Sequence, residues 1–246
     1  MIDTHCHLQE DYRDVLSRAF ANGVHHVFNI CISVEDIERG LKIVEEFPSA
    51  YPVAGIHPCH AHEVEKGHFE WVVELAEQKK LIAIGETGLD LHHSLEHLDI
   101  QKEYFKKHIE LANDLDLPLS IHCRNAYQEL IAFVEKYPVK KGILHCFAGD
   151  EAVAKWALDH GYILSFSGVV TFKNAKQMQQ IAANTPLSSL IIETDAPWLA
   201  PDPFRGKKNE PAYIPFILKK IAELKRLSEK QVEEEIFSAC KKLFRF

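Results

Sequence analysis

The sequence contains no apolar run of the roughly 20 residues that a transmembrane helix needs. Its first residues also lack the basic segment and apolar stretch that mark a secretory signal, so we expect no leader that is removed. Both absences favour a cytoplasmic protein with no membrane partner.

Paired cysteines of the Cys-x-x-Cys kind are missing too. The chain has six cysteines, which are Cys6, Cys31, Cys59, Cys123, Cys146 and Cys240. Without an export signal, reduced thiols are expected, and a disulfide or a cysteine-bound metal is the less favoured alternative.

An excess of basic residues is also lacking. The chain has 28 Lys and Arg against 36 Asp and Glu, a net charge of -8. This balance argues against a large basic surface for duplex DNA. It does not exclude a phosphate substrate, because bound divalent cations attract phosphate themselves.

What the chain does have is a regular series of short apolar runs. Most are rich in Ile, Val and Leu and apolar on both faces, which is typical of buried parallel strands. They are Met1–Thr4, Val24–Ile32, Tyr51–Ile56, Leu81–Gly85, Leu117–Ile121, Gly142–Leu144, Gly161–Phe166 and Leu190–Ile192.

Helical patterns alternate with these runs. They are Ser33–Glu46 with Ser33 as N-cap, Leu98–Leu115, Asn125–Tyr137, Glu151–His160, Asn174–Ala183, Tyr213–Leu227 and Glu229–Phe244. Alternation predicts a parallel sheet with right-handed crossovers. Eight strands favour an α/β protein with one (β/α)8 TIM barrel as a single domain over residues 1–246. A doubly wound open sheet is the alternative. The irregular stretch Ala196–Pro211 is interpreted as an active-site loop.

Residues of metal-ligand type stand at the ends of five predicted strands. They are His5 and His7 after the first strand, Glu86 after the fourth, His122 after the fifth, His145 after the sixth and Asp195 after the eighth. In a barrel, the carboxyl ends of the strands converge on one mouth, where active sites lie. We therefore expect these six side chains to meet.

Six ligands exceed the three that one catalytic zinc needs. The surplus predicts two divalent ions (zinc, manganese or magnesium) bridged by a carboxylate, in the arrangement that clamps the attacking and leaving oxygens of a displacement. Glu86 is the candidate bridge. We assign His5, His7 and Asp195 to one ion, and His122 and His145 to the other.

Four more residues are candidates near the mouth. His57 could contact substrate or be a structural histidine before a turn. Glu193 could orient a ligand from behind or be a paired buried carboxylate. Arg124 and Arg205 suit phosphate recognition, with solvated surface arginines as the alternative.

Several segments together resemble the TatD family of metal-dependent deoxyribonucleases, which are amidohydrolase-like barrels. They are Asp-Thr-His-Cys-His at 3–7, Gly-Ile-His-Pro at 55–58, Gly-Glu-Thr-Gly-Leu-Asp at 85–90, Ile-His-Cys-Arg at 121–124, His-Cys-Phe-Ala-Gly at 145–149 and Glu-Thr-Asp-Ala-Pro-Trp at 193–198. The resemblance implies a divalent-metal hydrolase that cuts DNA phosphodiester bonds, often from the 3′ end. It also implies metal-ligand roles for the same six residues.

Two positions depart from the family pattern. Cys59 intervenes between Pro58 and His60, and Leu91 follows Asp90 where an aromatic residue is common.

We predict a 3′-5′ exonuclease acting on DNA strand ends or single strands, with Asp195 and Glu86 as catalytic residues. The alternatives are a lactonase, amidase or small phosphoesterase on the same barrel, and a non-catalytic metal-binding or scaffold protein.

Overall fold

The chain forms a closed barrel of eight parallel strands in the order in which they occur in the sequence. The computed structural model describes residues 1–93 and 95–246. The strands are β1 (Ile2–Cys6), β2 (His26–Cys31), β3 (Ala50–Ala54), β4 (Ala83–Asp90), β5 (Leu119–Arg124), β6 (Gly142–Leu144), β7 (Ile163–Phe166) and β8 (Leu190–Ile192).

Helices connect and surround the strands. They are α1 (Tyr12–Ala21), α2 (Val34–Glu46), α3 (His68–Glu77), α4 (Leu98–Leu115), α5 (Tyr127–Lys136), α6 (Glu151–Asp159), α7 (Lys176–Asn184), α8 (Ile214–Lys225) and α9 (Glu229–Leu243). Each strand pairs in parallel with the next, which confirms the (β/α)8 barrel. The open doubly wound alternative is wrong, because such a sheet reverses its strand order.

The first and last strands are joined at the barrel mouth. The amide of Asp195 donates to the His5 carbonyl at 2.9 Å. The buried Asp3 carboxylate accepts from the Thr194 amide at 2.8 Å and from the Thr194 hydroxyl at 2.5 Å. The segment that follows β8 is thereby fixed against the residues of β1 that carry the first histidine.

Apolar side chains of the strands fill the space between barrel and helices. Ile84, Leu119, Ile121 and Leu164 are fully buried, and Phe105 of α4 packs into the same core. Such close-packed interiors hold strand ends rigidly, which suits the positioning of a site at the mouth. None of the helices in the described ranges is long and apolar enough to cross a membrane.

The predicted helices are present, and their ends lie within two residues of the predicted ends. Ser33 caps α2 as expected, since its hydroxyl accepts from the Asp36 amide at 3.1 Å. Two further helices, α1 and α3, were not predicted. Neither has a side-chain N-cap: Asp11 makes no capping bond to α1, and α3 follows Gly67. The start signals that mark α2 are therefore absent at both.

Strand β4 is longer than its apolar run indicates. It continues from Ala83 to Asp90 and pairs with β5 as far as Asp90 and Arg124. The prediction that Glu86 ends the strand is thus wrong, because it lies inside β4. Gly88 explains the extension: its φ is +140°, and a Cβ there would lie 2.1 Å from the His122 carbonyl oxygen. Only glycine lets the two strands approach this closely.

Candidate active site

Glu86 lies at the centre of the mouth, and its two carboxylate oxygens face different histidines. Oε2 is 3.4 Å from His5 Nε2 and 3.6 Å from His7 Nε2. Oε1 is 2.8 Å from both His122 Nδ1 and His145 Nε2. His5 and His7 are therefore neighbours of one carboxylate oxygen, and His122 and His145 are neighbours of the other.

Asp195 lies beside the first pair. Its Oδ1 is 3.9 Å from Nε2 of both His5 and His7. Burial raises the pKa of Asp195 to about 8, and the nearby carboxylates of Glu193 and Glu86 add to the shift, whereas His145 opposes it. Asp195 has a φ of +55°, a left-handed conformation that is uncommon outside glycine and directs its side chain into the mouth.

His122 is held between two carboxylates. Its Nδ1 faces Glu86, and its Nε2 lies 3.0 Å from Asp90 Oδ2. Burial opposes the charged ring, but the hydrogen bonds to Asp90 and Glu86 outweigh it and raise the pKa of His122. A histidine that donates one ring N–H to a carboxylate presents its other nitrogen as a ligand. The sequence analysis did not single out Asp90, although it ends the Gly-Leu-Asp motif.

His145 is oriented in the same way by Glu193. His145 Nδ1 is 3.2 Å from Glu193 Oε1, so its Nε2 is directed at Glu86. Glu193 is itself fixed, because it accepts from the Cys146 amide and from the Ser165 hydroxyl, each at 2.5 Å. This geometry supports the interpretation of Glu193 as an orienting residue.

His57 also reaches the cluster, 3.3 Å from Glu86 Oε1 through Nε2. Its Nδ1 accepts a hydrogen bond from the Cys59 amide at 3.1 Å. A backbone amide can only donate, so in the neutral ring the proton is on Nε2. His57 therefore faces the site as a hydrogen-bond donor, which differs from a metal ligand and suits contact with a substrate oxygen.

The two arginines lie farther out. Arg124 is the last residue of β5 and is exposed. Arg205 is exposed, with its guanidinium 4.2 Å from the ring centroid of Phe172. In the part of the chain that the structure describes, the contacts that join the central cluster include neither arginine.

The segment 196–211 is irregular, as expected, and covers one side of the mouth. Asn209, which is buried, donates to the carbonyls of Thr194 at 2.7 Å and Trp198 at 2.6 Å and so fixes the loop. The Trp198 ring is 53% exposed and lies 4.9 Å from the ring of His7. The sequence analysis did not identify this aromatic surface. A cleft of about 570 Å³ adjoins it, and the acidic residues on its wall pair with Arg39 and Lys208; they are Glu10, Asp11, Glu35 and Asp36.

The cluster fits divalent metal ions. Among the groups of ligand atoms that lie within 4.8 Å of one another are His5–His7–Glu86 and His5–His145–Asp195. His5 Nε2 is buried and has no hydrogen-bond partner among the described residues. Histidines and the Glu86 carboxylate surround it, and a cation would satisfy this nitrogen. Nitrogen and carboxylate donors together suit zinc and manganese better than magnesium, which prefers oxygen.

Comparison with known proteins shows the family of the chain. The family model of the TatD-related DNases matches residues 2–245. The chain belongs to this family. One relative, the uncharacterized metal-dependent hydrolase YabD of Bacillus subtilis, is 37% identical over 252 residues. That alignment covers 100% of this chain and 99% of YabD. The chain is accordingly a metal-dependent hydrolase.

A second relative carries a more specific name. The 3′-5′ ssDNA/RNA exonuclease TatD of Salmonella typhimurium is 30% identical over 220 residues, covering 87% of this chain and 85% of that protein. Among solved structures, YJJV, a TatD homolog from Escherichia coli, superimposes with a TM-score of 0.93 at 26% identity. The superposition covers 100% of this chain and 98% of the YJJV chain. The family predicted from the sequence motifs is thereby confirmed.

Proposed function

We propose that this protein is a two-metal phosphodiesterase that removes nucleotides from DNA strand ends in the 3′ to 5′ direction. The observation that carries the proposal is the placement of Glu86, whose two oxygens face separate pairs of histidines. A carboxylate that bridges two ions through both of its oxygens places one ion at each oxygen, and here each oxygen has its own neighbouring histidines.

In this proposal His5, His7 and Asp195 would hold one ion, His122 and His145 would hold the other, and Glu86 would bridge them. Two divalent ions bound by these residues would supply an activated water and neutralise charge on the phosphate. Asp90 and Glu193 direct the ligand nitrogens of His122 and His145 towards Glu86. The chain therefore supplies a preorganised site whose ligands need little rearrangement.

The remaining groups act on water and substrate. Asp195 is within reach of the first histidine pair and orients or deprotonates the attacking water. The Nε2–H of His57 donates to an oxygen of the phosphate or of the leaving group. Arg124 and Arg205 are exposed enough to hold phosphates of the strand beyond the cleaved bond.

Single strands fit the mouth better than duplexes. The chain has a net charge of -8, which disfavours the many phosphate contacts that binding of a long duplex needs. The exposed ring of Trp198 offers a surface for an unpaired base, since base stacking needs no fixed sequence. The name of the Salmonella relative supports strand-end hydrolysis and extends the candidate substrates to RNA.

We also propose a cytoplasmic location. The six cysteines are free and four of them are buried, an arrangement that persists where thiols stay reduced.

The test compares a linear single strand, a blunt duplex and a closed single-stranded circle of matched sequence, with Zn²⁺, Mn²⁺ or Mg²⁺ and with a chelator. We expect stepwise release of nucleotides from the linear strand, slower attack on the duplex and no attack on the circle. Equal cleavage of the circle would show an endonuclease. Hydrolysis of lactones or amides without nucleotide release would favour another activity on the same barrel.

A further inference from the structure

A separate group of donor atoms lies behind His122, on the side of its ring that faces away from Glu86. Asp90 Oδ2 is 3.0 Å from His122 Nε2, 3.0 Å from His93 Nδ1 and 3.5 Å from Cys59 Sγ. All three neighbours are potential proton donors. They share one oxygen, although a carboxylate oxygen offers about two lone-pair positions.

Asp90 cannot relieve this crowding by turning. Its other oxygen, Oδ1, accepts from the backbone amides of His92 at 2.8 Å and His93 at 2.7 Å. Its own amide is bonded to the Gln101 side chain at 2.8 Å, and the residue is fully buried. Oδ2 therefore stays directed at Cys59, His93 and His122.

We propose that Cys59, Asp90 and His93 bind a further divalent cation of the zinc class, separate from the pair at Glu86. Their ligand atoms lie within 4.8 Å of one another. Thiolate, imidazole and carboxylate are all zinc ligands, and three protein ligands leave one position for water.

Binding of the cation resolves the competition at Oδ2. The Cys59 thiol releases its proton to solvent, and neutral His93 carries its ring proton on Nε2 instead of Nδ1. Oδ2 then binds the cation and accepts one hydrogen bond, from His122 Nε2–H. The negative charges of the thiolate and of Asp90 balance a divalent ion.

The ion can reach this site from solvent. The side chain of His93 is 50% exposed and Cys59 is partly exposed, whereas Asp90 forms the floor of the site. Cys59 is also one of the two positions at which the sequence departs from the family pattern. The proposed site is therefore a property of this chain rather than of the catalytic cluster.

Cobalt(II) absorption tests the proposal on the full-length, metal-stripped protein. The ligands at Glu86 are nitrogen and oxygen atoms, so a near-ultraviolet thiolate-to-cobalt charge-transfer band can arise only from a cysteine ligand. We expect this band in the wild-type protein, its suppression by added Zn²⁺, its loss in Cys59→Ser and Cys59→Ala, and weaker cobalt binding in His93→Gln.

Cys146→Ser is the matched control, because Cys146 is the other partly exposed cysteine and lies 3.2 Å from Ser167 instead. Its band should equal that of the wild-type protein. The proposal is wrong if saturating cobalt gives no band, or if the band survives in both Cys59 variants. Nuclease activity is measured on the same samples, so failure of this site is distinguishable from failure of the Glu86 site.

Discussion

The pH dependence of stability should depend measurably on His108, a fully buried histidine of α4. Its Nε2 accepts from the Ile56 amide at 3.0 Å, and its Nδ1 donates to the Tyr104 carbonyl at 2.6 Å. Only the neutral ring satisfies both bonds, because a proton on Nε2 would face another N–H. Burial lowers the pKa of His108 to about 4 from the ordinary value of 6.5.

The size of the effect follows from linkage. The folded pKa is lowered, so between pH 6.5 and 4 the unfolded chain binds the proton and the folded chain does not. The contribution to stability is full above pH 6.5 and is lost as the pH falls. The free energy of unfolding should decrease by roughly 2 kcal/mol at pH 5 and by about 3 kcal/mol at pH 4, through this one group.

Urea unfolding at pH 7.5 and pH 5 measures this contribution, with His108→Gln as the variant that cannot titrate. Between pH 7.5 and pH 5, the free energy of unfolding of the wild-type protein should decrease by roughly 2 kcal/mol more than that of His108→Gln. His160→Gln is the control, because His160 makes the same bond to a carbonyl one turn earlier but is exposed. Equal pH dependence of the wild-type protein and His108→Gln would refute the reasoning.

Three further outcomes are expected. Glu86→Ala should abolish hydrolysis while circular dichroism stays that of the wild-type protein, since a mouth residue serves function more than packing; near wild-type turnover would refute the bridge. In urea unfolding, Gly88→Ala should lower the free energy of unfolding by at least about 2 kcal/mol more than Gly67→Ala does. Both glycines have a positive φ, but only at position 88 would the added Cβ collide with the His122 carbonyl. In steady-state assays, Trp198→Ala should raise KM for single strands about 5-fold or more, whereas Trp198→Phe should keep most of the affinity. An unchanged KM in both variants would exclude base stacking on the Trp198 ring.

The positions of the candidate metal-ligand residues were largely predictable from the sequence. Short apolar runs locate buried strands, and parallel strands in a barrel end at one mouth, so His145 and Asp195 could be placed without knowing any contact. Glu86 was assigned to the right mouth but to a strand end, because Gly85 and Gly88 interrupt the apolar pattern of a strand that continues to Asp90.

Buried residues that fix the site and the segments around it were harder to predict. Asp90 and His108 act on side chains or amides that are 32 and 52 positions away in the sequence. No local pattern encodes such pairs, because they depend on how β3, β4, α4 and β5 pack together. Glu193 was accessible to sequence reasoning only because it lies two residues before Asp195, a spacing that predicts the same face in an extended chain.

Electron paramagnetic resonance of the manganese-loaded protein tests the bridging role of Glu86 most directly. Two Mn²⁺ ions held about 3.5–4 Å apart by one carboxylate should give a spin-coupled spectrum at two equivalents. Glu86→Ala should give only isolated-ion signals. An uncoupled spectrum from the wild-type protein at two equivalents would contradict a pair of metal ions bridged by Glu86.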